Sequence, residues 1–236
     1  MNKITNKLKN KARLDSHISP INYDLTISPD ILAGTFTGSE TIKIKITKEI
    51  NEIVLHSKDI KIETVIYKNK DSIQFAKNIK YDEKKEIATF TFLEKIQIGK
   101  GEINIIFSGI INDSLRGFYK SKYILDGQEK YIATTQFEST DARRAFPCFD
   151  EPAHKAIFKI SLVIKENHTA ISNTLPISIK EHSAGYKIVS FAPTPIMSTY
   201  LLAFIIGEFE YIESYAVTTS ESKLGGPRTI WDNYSS

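Results

Sequence analysis

From Thr41 to Thr47 the chain reads TIKIKIT, with Ile42, Ile44 and Ile46 at alternate positions and Lys43 and Lys45 between them. Successive side chains of a strand point to opposite faces, so this period of two predicts a half-buried β-strand with isoleucine inward and lysine outward. Outward lysines also discourage edge-to-edge pairing with another chain. The same reading extends to YDLTIS, NEIVLHS, IKIETVIY, IATFTFL, EINIIFSG, KYIATTQF, FKISLVI, YKIVSFA and TYLLAFIIGEFEYI. Turn signals such as SPD, KNKDS, DEKK, DGQEK and SAGY separate them, and no ten-residue amphipathic helix competes. Many short strands at close spacing predict an all-β fold, an antiparallel sandwich or saddle-shaped sheet rather than βαβ units.

Two regions break the pattern. TTQFESTDARRAFPCFDEPAHKAIF, Thr134 to Phe158, is dense in prolines, aromatics and charges of both signs. Ser139 or Thr140 is placed to cap a single helical turn over DARRAF, and Pro147 and Pro152 bracket CFDE. Proline fixes its own φ and keeps the preceding residue out of the helical region, so this path is rigid and non-repeating, the kind of loop on which sites are built. The second region is the tail from Ser214, which has a Gly-Gly-Pro turn and no usable periodicity. The expected organisation is a basic flexible arm over 1–16, a β-rich domain over 17–213 and an irregular tail over 214–236.

Composition adds little beyond exclusions. At 236 residues the chain buries a core without covalent staples, and its single cysteine, Cys148, forms no internal bridge. A cytoplasmic location is the expectation. The net charge of +3 is smaller than what Lys3, Lys7, Lys9, Lys11 and Arg13 contribute ahead of Asp15, so the body of the chain gives no reason to expect nucleic acid. No apolar run reaches the ~20 residues of a membrane-spanning helix; YLLAFIIGEF is interrupted by Gly207 and Glu208.

Catalytic constellations are sparse. Of His17, His56, His154, His168 and His182, no two stand one helical turn apart, so there is no H-E-x-x-H zinc site, and one cysteine makes no thiolate cluster. The expectation is no metal and no catalytic residue in this chain. Cys148 lies between Pro147 and Phe149, apolar neighbours that make a thiol inert. Gln136 and Glu138 remain. Residues two apart on a strand project to one side, so QFE presents an amide and a carboxylate together while Phe137 packs on the other. A carboxylate so placed suits a substrate ammonium; the alternative is an ion pair with Arg143 or Arg144 on the adjoining turn.

Taken with GFYKSKY before it and MSTYLLAFIIGEFEYI after it, TTQFESTDARRAFPCFDEPAHKAIFKISLVI closely resembles the N-terminal domain of zinc aminopeptidases of the aminopeptidase N and puromycin-sensitive type. ISPINYDLTISPD, FTGSETIKIKI and IVLHSKDIKI follow the same family order. The resemblance implies a saddle-like β domain that packs on a thermolysin-like catalytic domain and lends it part of the substrate pocket. Gln136 and Glu138 match the family's Q-x-E/Q element, which implies that Gln136 lines the pocket for the first side chain and Glu138 helps hold the free α-amine. Arg143, Pro147, Asp150, Glu151 and Pro152 match positions that shape the loop. The family's Gly-x-Met-Glu-Asn strand and H-E-x-x-H helix have no counterpart in these residues. The expectation is therefore a recognition and scaffold domain, truncated before its catalytic domain and inactive alone, whose partners are a peptide N-terminus and a catalytic domain in cis or in trans. No cofactor is expected in this chain, with zinc in the intact enzyme. A stand-alone peptide- or protein-binding module and one half of a split enzyme are the alternatives.

Overall fold

The structure, a computed structural model, describes residues 13–209 and, as backbone, 212–216 and 228–232. Most of the expected basic arm and part of the expected tail lie outside the described residues. In chain order the first strands are β1 (Ile18–Asp30), β2 (Thr35–Ile46), β3 (Ile50–His56), β4 (Ile60–Lys68), β5 (Ile73–Phe75), β6 (Asn78–Asp82), β7 (Ile87–Ile96) and β8 (Gly99–Ile110). They are followed by β9 (Gly117–Leu125), β10 (Gln128–Gln136), β11 (Ile157–Lys165), β12 (Thr169–Ser172), β13 (Pro176–Ser183), β14 (Tyr186–Phe191), β15 (Phe204–Gly207), β16 (Ile212–Ala216) and β17 (Arg228–Asp232). The only helical pieces among the described residues are 3-10 turns at Ala142–Arg144 and Thr199–Leu201. The fold is all-β, as expected.

An eight-stranded sheet runs β13-β14-β11-β1-β2-β8-β4-β5. A four-stranded sheet, β12-β15-β10-β9, and a three-stranded sheet, β3-β7-β6, cover one face of it. That arrangement follows from the alternation in β2, whose burial strictly alternates: Ile42, Ile44 and Ile46 are buried while Lys43 and Lys45 face out or nearly so. Phe36 of β2 meets Phe118 of β9 at 5.3 Å, and Tyr67 of β4 meets Phe92 of β7 at 6.0 Å, both edge-on. Each small sheet therefore packs on the same inner face, and offset or edge-on aromatic contacts add to area burial. Within the large sheet, Phe36 stands opposite Gly109 and Gly38 opposite Phe107. A Cβ on Gly38 would lie 2.4 Å from Phe107 Cζ, so the ring occupies the space that the glycine leaves.

Four differences from the sequence reading have physical causes. The large sheet is not wholly antiparallel, because β1 and β11 pair in parallel with Asn22 beside Ile157; the intervening strands supply the long crossover that a parallel pair needs. TYLLAFIIGEFEYI is not one strand. The Thr199 hydroxyl donates to Asp150 Oδ1 at 2.7 Å and Ser198 Oγ to the Pro152 carbonyl at 2.8 Å, which fixes a 3-10 turn before β15 begins at Phe204. Within the segment expected to be irregular, β16 and β17 pair with each other in antiparallel register; Tyr215, Thr229, Ile230 and Trp231 there are residues of high strand preference. At the other end Leu14, assigned to the arm, is buried, and its N–H donates to Glu151 Oε1 at 2.7 Å.

Candidate functional site

The loop from Gln136 to Ala156 is anchored residue by residue. Phe137 is buried, with Phe146 at 6.1 Å and Phe204 at 6.2 Å edge-on to it. Phe146 in turn meets Tyr23, which stacks on Phe158 at 4.8 Å. The aromatic spacing that marked this segment in the sequence is thus the seam joining the four-stranded sheet to β1 and β11.

Beneath the loop lies a buried polar network. Asp150 is 1% exposed. Its Oδ2 accepts from Arg143 Nε at 2.9 Å and from the Arg143 backbone N–H at 3.3 Å, and its Oδ1 accepts from Thr199. The Asp150 N–H donates to His56 Nδ1 at 3.2 Å. Arg143 Nη2 reaches the Asp150 carbonyl at 3.2 Å and Nη1 reaches Glu86 at 3.1 Å. Burial works to raise the Glu86 carboxyl, but Lys58 and Arg143 beside it outweigh that and hold it below the usual carboxylate range. The turn expected to be capped by Ser139 or Thr140 instead has Asp141 at its N-terminal position, with no side-chain cap. Asp141 is occupied otherwise, accepting from Arg144 Nε at 2.7 Å.

Cys148 pairs with His56 through the backbone in both directions, at 2.9 and 3.0 Å. Burial, and then the carboxyls of Asp150 and Glu40, push its thiol well above the usual range. That is the environment of an inert structural thiol.

Gln136 is the last residue of β10, and the Glu138–Ser139 peptide bond just beyond it is cis. Gln136 and Glu138 are exposed, with Phe137 buried between them. The ion pair weighed for Glu138 does not form: Arg143 is committed to Asp150 and Glu86, and Arg144 to Asp141 and Asp59. Glu138 makes no hydrogen bond or ion pair with any described residue. It is an exposed acceptor on the ledge just past the end of β10. Sequence reasoning did not reveal what surrounds these two residues, because Asp59 and Glu86 come from turns far away in the chain.

The all-β scaffold thus displays a carboxylate and an amide beside a pinned loop. The chain belongs to the Peptidase M1 N-terminal domain family, which it matches over residues 19–201. It is 39% identical over 219 residues to "Aminopeptidase M1" of Arabidopsis thaliana, covering 89% of this chain and 24% of that protein. With "Aminopeptidase 2, mitochondrial" of Saccharomyces cerevisiae the identity is 40% over 217 residues, 89% of this chain and 22% of the relative. "Alanine/arginine aminopeptidase" of the same yeast is 40% identical over 207 residues, 85% of this chain and 24% of the relative. The chain thus spans about a quarter of the length of these curated relatives. M1 aminopeptidases are in general zinc enzymes, and the described residues do not fit that ion: no three His, Cys, Asp or Glu side chains among them are grouped to hold a metal. Among the described residues no helix is long and apolar enough to cross a membrane.

Proposed function

We propose that this chain is the N-terminal substrate-recognition and scaffold domain of an aminopeptidase, with Glu138 receiving the free α-amine of a peptide and Gln136 lining the place of its first side chain. Zinc and the hydrolytic groups belong, in this reading, to a catalytic domain acting in cis or in trans, and the cytoplasm is the expected compartment. The observation that carries it is the exposed, unpartnered carboxylate of Glu138, two residues from Gln136, on a loop whose own guanidiniums, Arg143 and Arg144, are engaged elsewhere. An ammonium on that carboxylate makes a charge-assisted hydrogen bond of about 1.5–3 kcal/mol. That corresponds to a preference of roughly 10- to 100-fold for a free over a blocked N-terminus.

Calorimetric titration of the chain with L-alanyl-L-alanine amide and with its N-acetyl counterpart tests this. The free amine should bind at least ~10-fold more tightly, and Glu138→Gln should remove the difference while leaving the melting temperature in place. Equal affinities for the two peptides, or an unchanged preference in the variant, would refute the proposal. Raising the pH past about 8, where a peptide amine loses its proton, should also erode the preference.

A further inference from the structure

Arg144 lies next to this ledge without belonging to it. Its Nε donates to Asp141 Oδ1 at 2.7 Å and its Nη1 to Asp59 Oδ2 at 2.6 Å. Asp141 is the residue whose N–H closes the turn onto the Phe137 carbonyl at 3.0 Å, the carbonyl between Gln136 and Glu138. Asp59 sits in the turn after β3, so the guanidinium ties the loop to a separate sheet. The aliphatic stem has a fixed seat as well. It rests on Gly117, where an added Cβ would come within 2.7 Å of Arg144 Cβ and 2.9 Å of Cδ. Gly117 pairs with Gln136 across the β9–β10 ladder. Its φ of +65° also falls where side chains are disfavoured. The seat of the arginine and the end of the strand bearing Gln136 are therefore the same rung.

We propose that Arg144 is a positioning residue for the amine-recognition site, setting where Gln136 and Glu138 project by spanning Asp141 and Asp59 while its stem lies on Gly117. This rests on the recognition reading above. The planar fork of arginine holds two acceptors in fixed directions, which a lysine ammonium on a flexible stem does not. Glu138 has no hydrogen bond or ion pair of its own to orient it, so its direction is inherited from the backbone of the 137–141 turn. A substrate ammonium reads that direction, because a hydrogen bond weakens steeply as its angle departs from linear.

The test uses the chain itself and the same two peptides. The quantity read is the ratio of affinities, free amine over N-acetyl, alongside the thermal midpoint. Arg144→Gln should lower the ratio by about ten-fold, the equivalent of one charge-assisted hydrogen bond misaligned, and Arg144→Lys should recover only part of it. Gly117→Ala should lower the ratio too, although alanine adds no polar group, because it displaces the arginine stem. Should Arg144→Gln fail to fold, Asp59→Asn supplies the second variant: asparagine tolerates the φ of +57° found there, and the change weakens one arm of the span. A folded Arg144 or Asp59 variant with the wild-type ratio overturns this inference and leaves the recognition reading standing. A wild-type chain with no preference overturns both.

Discussion

Glu40 is carried on the inward face of β2, in the same register as Phe36 and Ile42, and it is 3% exposed. Neither carboxyl oxygen has a hydrogen-bond partner. Burial alone pushes its pKa well above the usual value, so the folded chain holds a proton that the unfolded chain releases once the pH exceeds about 4.3. Stability contributed by the neutral acid is therefore complete below the unfolded value and is lost as the pH rises toward the folded one. Glu40→Leu should raise stability at pH 7 by about 1–3 kcal/mol, the scale of an unsatisfied buried polar group, and the gain should be smaller at pH 4, where the unfolded chain no longer releases the proton. Paired denaturant titrations at pH 4.5 and pH 7.5 check this, and a loss of stability at the higher pH would contradict it. Glu86 has the opposite sign: its lowered carboxyl contributes stability above the unfolded value that disappears as acid protonates it. The burial of Glu40 was legible in FTGSETIKIKI, where it falls on the inward positions. Its lack of a partner was not, since that depends on side chains distant in sequence. For the same reason the exposure of Gln136 and Glu138 could be read from a period of two, whereas the engagement of both arginines with Asp59, Glu86, Asp141 and Asp150 could not.

At the scale of elements, alternation found the strands that have one buried face and missed those that have none. β13 is exposed along nearly its whole length and β5 at both ends, so neither carries a pattern to detect. β6 is likewise exposed or half-exposed along its length, and the short β12 is half-exposed throughout. Edge position removes the signal because hydrophobic periodicity records burial rather than hydrogen bonding. The pairing of glycine with an aromatic ring across β2 and β8 was hidden too, because register is not written in either strand alone. Gly38→Val should push against Phe107, whose ring atoms stand 2.4 and 2.6 Å from the Cβ it would add. The expected cost is about 1–3 kcal/mol, as for other over-packed cores. A double variant, Gly38→Val with Phe107→Ala, should lose less than the sum of the two single variants in a thermal melt, because the valine fills part of the cavity that the missing ring leaves. Additive losses would show that the two positions do not share one space.

For the whole molecule, the central question is which stretch of chain is the folding unit. β1 lies between β2, its neighbour in sequence, and β11, which follows only after β3 to β10 in the chain. A chain ending at Phe149 would leave that edge of β1 open and would strip Phe118 and Phe137 of Phe204, which lies 5.1 and 6.2 Å from them. No stable fold is expected of it. At the other boundary, the ladders of the large sheet and its two covering sheets close within residues 18–207, and β16 and β17 pair only with each other among the described strands. We therefore expect a fragment of residues 13–213 to melt as the full chain does. A fragment of 17–213, the domain read from the sequence, loses the burial of Leu14 and its bond to Glu151 on the DEP loop. Burying a leucine is worth about 1.5–3 kcal/mol and the hydrogen bond about 1, so the shorter fragment should melt roughly 5 °C or more below the longer one. Calorimetry on the three fragments decides the matter. If 17–213 and 13–213 melt together, Leu14 contributes nothing to the domain; if the fragment ending at Phe149 unfolds cooperatively, β11 is an addition to a smaller folding unit rather than part of its core.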